Sequence, residues 1–127
     1  MSRAANNWFE IASYDLETAE AMQKERRYLY VIFFCQQAVE KMMKGKYTEK
    51  TGEVAPKIHD LRRLSEIATL NITEKYMQFL DQLTYLYIDV RYPMDLSESL
   101  TTITEDVAKN YLNQTKGFLR WLQRQKI

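Results

Sequence analysis

The chain of 127 residues carries few groups able to do chemistry. His59 is the only histidine and Cys35 the only cysteine, so one chain cannot build a histidine-pair metal site, a cysteine-rich zinc site or an internal disulfide. Cys35 sits within YLYVIFFC, where a cysteine behaves as a small buried hydrophobe with a raised thiol pKa, which disfavours a Cys35–His59 nucleophile pair. The carboxylate pairs Glu17/Glu20, Asp81/Asp89 and Glu105/Asp106 lack a second ligand type and read as solvated. The segment Asp89-Val90-Arg91-Tyr92-Pro93 is different. It sets an acid, a guanidinium and a phenol at a helix end stopped by proline. Arg91 there is able to hold a phosphate through bidentate bonds while Asp89 orients it, and a purely structural helix end is an equally good account.

The elements that must position these residues are helices. Three glycines and two prolines are too few for a β-sandwich, a barrel or a disordered chain, and leave no P-loop or dinucleotide fingerprint. No cofactor and no metal is expected. The length suits a single domain spanning residues 1–127. Asn7 with Glu10 reads as a capped start to a first amphipathic helix reaching Lys24. After the KERR stretch at 24–27, Leu29, Ile32, Phe33, Val39, Met42 and Met43 cover most of a helix's circumference, predicting a central helix that Lys44-Gly45-Lys46 and then the Thr51–Pro56 stretch end and turn into a loop. A short third helix starts near His59, a fourth runs from an Asn71/Glu74 box to Arg91, and a last one opens at Thr102/Glu105. Four long helices and one short one with brief connections predict an all-α, up-and-down antiparallel bundle. The longest apolar run is far too short for a membrane span, and the N-terminus has no signal-like stretch, so a cytoplasmic protein without membrane contact is expected.

The formal net charge of +1 conceals a division: −2 over residues 1–40, +4 over 41–63, −6 over 64–108 and +5 over 109–127. Lys41, Lys44, Lys46, Lys50, Lys57, Arg62 and Arg63 read either as a basic surface for a phosphate-bearing ligand or as a solvated face. Lys116, Arg120 and Arg124 complement the dipole of the last helix. The nine tyrosines and two tryptophans read mainly as core or interface rather than as base-stacking platforms.

Three stretches together resemble a HEPN domain, the small helical module named for its occurrence in higher eukaryotes and prokaryotes and for nucleotide binding. They are Ala12, Asp15, Leu16 and Ala19 in the first helix, then Phe34, Gln36, Gln37, Ala38, Glu40, Lys41 and Lys44 in the second, then His59-Asp60-Leu61 followed by Arg91-Tyr92-Pro93. The resemblance runs from about Trp8 to Leu122. It implies a four-to-five-helix bundle that pairs as a two-fold homodimer with a cleft at the interface. Many members are metal-independent endoribonucleases whose motif is an arginine and a histidine separated by four to six residues. Others accompany a minimal nucleotidyltransferase in a toxin–antitoxin-like two-component system.

Arg91 stands at the arginine position, but Leu96, Ser97 and Glu98 occupy the places of the histidine. Leucine cannot move a proton, serine needs its own base, and Glu98 would need a raised pKa to act as an acid. His59 either substitutes from another helix or caps and orients the third. The sequence therefore points to a homodimeric HEPN protein without an intact catalytic motif, working with a nucleotidyltransferase partner. Nucleotide or RNA would bind near Arg91, with Asp89 holding the guanidinium, Tyr92 offering a stacking surface, and Lys41 and Lys44 supplying positive potential. The alternatives are an active metal-independent endoribonuclease toxin with a substitute for the histidine, and a purely structural helical partner.

Overall fold

A computed structural model describes residues 2–92 and 94–125. Six helices follow one another: α1 (Arg3–Lys24), α2 (Tyr28–Thr51), α3 (Leu61–Ile67), α4 (Glu74–Arg91), α5 (Leu96–Thr102) and α6 (Glu105–Arg124). No strand occurs among the described residues, and none of their helices is long and apolar enough to cross a membrane. The fold is the expected antiparallel helical bundle, with one more short helix, α5, than the sequence predicts.

The antiparallel α1–α2 pair makes the most extensive contact in the fold. Arg26, at φ 61°, turns the chain between them, and the Arg27 N–H donates to the Met22 carbonyl at 2.8 Å to close the end of α1. Ala5, Ala12 and Ala19, seven residues apart on α1, are fully buried, so the two backbones approach closely. Of the two stretches expected to end α2, Lys44-Gly45-Lys46 does not break it and the one at Thr51–Pro56 does. The Phe9 ring lies where a side chain at position 45 would go, so this glycine makes room for packing within a continuing helix. The helix stops at Gly52, which takes the left-handed conformation at φ 71°.

The helix starts also differ from the expected capping boxes. Ser2, Thr73 and Thr104 are the N-caps of α1, α4 and α6, their hydroxyls accepting from the N–H groups of Ala5, Tyr76 and Val107. Asn7 is inside α1, Asn71 precedes the cap of α4, and Thr102 closes α5. The hydroxyl residue next to the helix wins because the cap must reach the second or third helical N–H. α4 ends at Arg91 as predicted, while Pro93 lies outside the described residues.

α2 runs through the centre against α1, α3, α4 and α6. Its Val31, Ile32, Cys35, Val39, Met42 and Met43 share one core with Leu80 and Leu83 of α4 and Phe118 and Leu122 of α6. Each such side chain contributes about 1.5–3 kcal/mol by burial. α3 is tethered to α4 by a two-pronged bond from Arg62 to Asp81, at 3.1 and 2.7 Å.

Candidate functional site

On the other flank of α2 the periodicity places Gln36, Gln37, Glu40, Lys41 and Lys44 along one stripe. Gln36, Glu40 and Lys44 are buried there. Buried polar groups need partners, and here they find one another. The Glu40 carboxylate accepts from Gln36 Nε2 at 3.0 Å and from Lys44 Nζ at 3.0 Å, and lies 3.0 Å from His59 Nδ1. Gln36 Nε2 also donates to the His59 carbonyl at 3.1 Å. Gln37 Nε2 donates to Gln36 Oε1 at 3.1 Å and to the Tyr87 hydroxyl at 3.2 Å, while Lys41 Nζ donates to Gln37 Oε1 at 2.8 Å. The chain of bonds ends at Arg91, whose Nη1 donates to the Tyr87 hydroxyl at 3.1 Å. One seam thus joins α2, the start of α3 and the end of α4, and α1 enters through Asp15, 3.6 Å from Lys41 Nζ.

Electrostatics follow from this geometry. Burial alone would raise the Glu40 pKa, but the bonds from Gln36, Lys44 and His59, with the charge of Lys44, outweigh it and hold the carboxyl below its usual range. Asp15 goes the other way, because burial raises its pKa by more than the Lys41 ammonium lowers it. A carboxylate accepts only, so His59 Nδ1 carries a hydrogen toward Glu40, and in the neutral ring the lone pair sits on Nε2. The His59 side chain is 55% exposed. Burial pushes the Cys35 thiol up to about 12, leaving an unreactive core cysteine.

The structure brings most of the sequence-predicted site residues together but changes their roles. Arg91 is exposed at the end of α4, its guanidinium carbon 5.3 Å from the Tyr92 ring centre and 5.9 Å from that of Tyr87. Asp89 does not hold it. Residues two apart point to opposite sides of a helix, and Asp89 lines a separate acidic corner with Met94, Asp95 and Glu98. The partner of Arg91 is Tyr87, one turn back, a residue that the sequence offers as core or interface aromatic or as a stacking ring near Arg91, not as its hydrogen-bond partner. Lys41 and Lys44 are not free cations either, since they face Asp15 and Glu40.

Part of the wider basic surface is taken up in the same way, while Lys57 and Arg63 stay exposed without an ion pair among the described residues. Lys46 is buried, donating to the carbonyls of Gln123 and Gln125 at the end of α6, and Arg62 pairs with Asp81. His59 does not cap α3, because the cap is Asp60, whose side chain accepts from the Arg63 N–H. Leu96, Ser97 and Glu98 form the first turn of α5, on the exposed side of the molecule. The signal for the seam was present in the glutamines and Glu40 spaced along an otherwise apolar helix, which demand buried partners. Among the described residues no group of three or more His, Cys, Asp or Glu side chains is placed to hold a metal ion.

The seam is assembled from the stretches that carry the resemblance to a known family, and comparison with known proteins agrees. The backbone is similar to the crystal structure of TT1696 from Thermus thermophilus, with a TM-score of 0.82 at 20% identity over 96% of this chain and 98% of that one. It is also similar to the crystal structure of ST0689, an archaeal HEPN homologue, with a TM-score of 0.75 at 24% identity over 97% of each chain. No curated protein matches. The model of the HEPN domain matches residues 5–125, nearly the whole chain, and the chain belongs to the HEPN domain family.

Proposed function

We propose that the protein binds a phosphate-bearing ligand, a nucleotide or RNA, at Arg91. One observation carries this reading. Lys41, Lys44, Lys46 and Arg62 each face a carboxylate, and Lys57 and Arg63 are exposed with no side-chain bond, whereas Arg91 has no ion-pair partner among the described residues and is still held in place, by a neutral hydroxyl and two tyrosine rings. A pre-oriented, uncompensated guanidinium at the surface is suited to an external oxyanion. Tyr92, 64% exposed beside it, offers a face for a base. The test is a titration of ATP and of short single-stranded RNA into the purified protein, followed by thermal shift. The expected result is a saturable rise in melting temperature that Arg91→Ala abolishes, and an unchanged response in that variant would contradict the reading.

In this reading two copies pair across the α4–α5 face. Tyr85, Ile88 and Tyr92 form an exposed stripe on α4 next to Arg91, continued by Met94, Leu96 and Leu100. Pairing there would bury apolar surface and bring two Arg91 side chains to one cleft. Ile88→Glu is expected to shift the protein to monomer in light scattering. With the family's histidine replaced at Leu96, Ser97 and Glu98, the protein works with a minimal nucleotidyltransferase partner rather than alone, and co-purification of the two tests this.

The Glu40–His59 pair favours a second reading, metal-independent RNA cleavage, because a carboxylate on Nδ1 leaves a proton-accepting Nε2 on an accessible ring. RNA cleavage in excess chelator that is lost in both Arg91→Ala and His59→Ala would establish it.

A further inference from the structure

We infer that Tyr87 is itself a ligand contact, its hydroxyl hydrogen donating to the same oxyanion that Arg91 holds. This rests on the reading of Arg91 as an anion site and adds a second donor that the sequence motif does not contain.

The seam fixes the direction of every hydrogen along it. Its ends are groups that cannot reverse direction: Lys41 and Arg91 only donate, while the Glu40 carboxylate and the His59 carbonyl only accept. Gln36 Nε2 gives one hydrogen to Glu40 Oε1 and the other to the His59 carbonyl, so Gln36 Oε1 must be the acceptor toward Gln37. Gln37 Oε1 accepts from Lys41, so its Nε2 faces the other way and donates to both Gln36 Oε1 and the Tyr87 hydroxyl. The orientation of both amides is thereby fixed from outside. The Tyr87 oxygen receives one hydrogen bond from Gln37 and one from Arg91, which uses both of its lone pairs. Its own hydrogen remains, and among the described residues the Tyr87 hydroxyl accepts these two bonds and donates none.

Tyr87 is only 4% exposed, and its ring rests 5.6 Å from that of Phe33, so the phenol is held in place and only the hydrogen can swing. A buried donor without an acceptor is rare unless something else supplies one. Arg91 Nη1 lies 3.1 Å from the Tyr87 oxygen and keeps a second hydrogen of its own. A phosphate group presents several oxygens side by side, so one can accept from the Tyr87 hydroxyl while its neighbour accepts from a guanidinium hydrogen that Arg91 does not give to Tyr87. The ligand atom must therefore be an acceptor, and the guanidinium beside it selects a negatively charged one. A phosphate oxygen of a nucleotide or of an RNA strand meets both conditions.

The experiment measures binding of a fluorescently labelled, 5′-phosphorylated single-stranded RNA by anisotropy, with unlabelled ATP as competitor to show whether free nucleotide reaches the same site. Four proteins are compared: wild type, Arg91→Ala, Tyr87→Phe, and a protein with a ring-fluorinated tyrosine incorporated at position 87. Tyr87→Phe is expected to weaken binding by about ten-fold or more, the equivalent of one charge-assisted bond. Fluorine makes the phenol a better donor and a poorer acceptor, so at mildly acidic pH, where the phenol stays protonated, fluorination is expected to tighten binding by about two-fold. This protein keeps the ring and the hydroxyl, so it decides the matter even if Tyr87→Phe folds poorly. Weaker or unchanged binding on fluorination would overturn the inference and leave Tyr87 a positioning residue for Arg91. Binding that survives Arg91→Ala unchanged would instead overturn the underlying reading of the site.

Discussion

Val31, Ile32, Cys35, Val39, Met42 and Met43 on one flank of α2 are 4% exposed or less, and Gln36, Glu40 and Lys44 on the other are no more than 6% exposed. Equal burial is reached by opposite means. The apolar flank needs only matching shape from α4 and α6, so many substitutions of similar volume would fill it. The polar flank needs each donor aimed at one acceptor, and a single lost partner leaves a buried group unsatisfied. The dry flank accounts for cohesion, and the wet flank fixes where His59, Tyr87 and Arg91 stand relative to one another.

The polar flank is most severely disrupted at Glu40. Replacing it by alanine removes the acceptor shared by Gln36, Lys44 and His59 and leaves the Lys44 ammonium buried without its counter-charge. A loss of about 3–5 kcal/mol is expected in denaturant unfolding. On the dry flank, Ile32→Ala is expected to cost about 2–5 kcal/mol, scaling with the cavity left behind. What separates the flanks is the reaction to conservative change. Ile32→Val should cost only about 0.5–1.5 kcal/mol and leave ligand binding alone, whereas changes along the seam should disturb the Arg91 site.

Acid provides a gentler test of the same contrast. The folded-state pKa of Glu40 is depressed, so its contribution is present above the ordinary glutamate value and is lost as the pH falls through the folded value. Asp15, raised by burial, has the opposite sign and loses stabilisation as the pH rises through its own interval. Urea midpoints followed from neutral pH down to about pH 3 should therefore fall less steeply in Glu40→Gln than in wild type. The smallest effect lies away from the seam. Thr104→Ala removes the cap of α6 and should cost about 1 kcal/mol by the same unfolding assay, without altering ligand binding.

Much of the fold could be read directly from the residues. The apolar stripes of α2, α4 and α6 and the break after Arg91 follow from helical periodicity, and the scarcity of glycine and proline excludes β architectures. The misplaced starts of α1, α4 and α6 share one physical cause. A capping box is a pattern in sequence, but the cap itself is set by which hydroxyl reaches the first free N–H groups, and these helices use Ser2, Thr73 and Thr104 without a glutamate three residues on. Gly45 misleads because its purpose, making room for Phe9, belongs to a neighbouring helix.

The candidate site was half legible. Arg91 and Tyr92 stand where their motif suggests. The pairing of Arg91 with Tyr87 rather than Asp89 follows from helical geometry, since four residues make a neighbour and two do not. The links from Glu40 to His59 and from Gln37 to Tyr87 join residues 19 and 50 positions apart, and only the packed bundle creates them.

On the proposed reading, Arg91 is an anion contact that the seam holds in place. The most direct measurement is the affinity of single-stranded RNA for wild type and Arg91→Ala across a series of salt concentrations. The variant is expected to bind about ten-fold more weakly or worse at low salt, with a salt slope shallower by about one counterion. Affinities and slopes that coincide for the two proteins would contradict that reading.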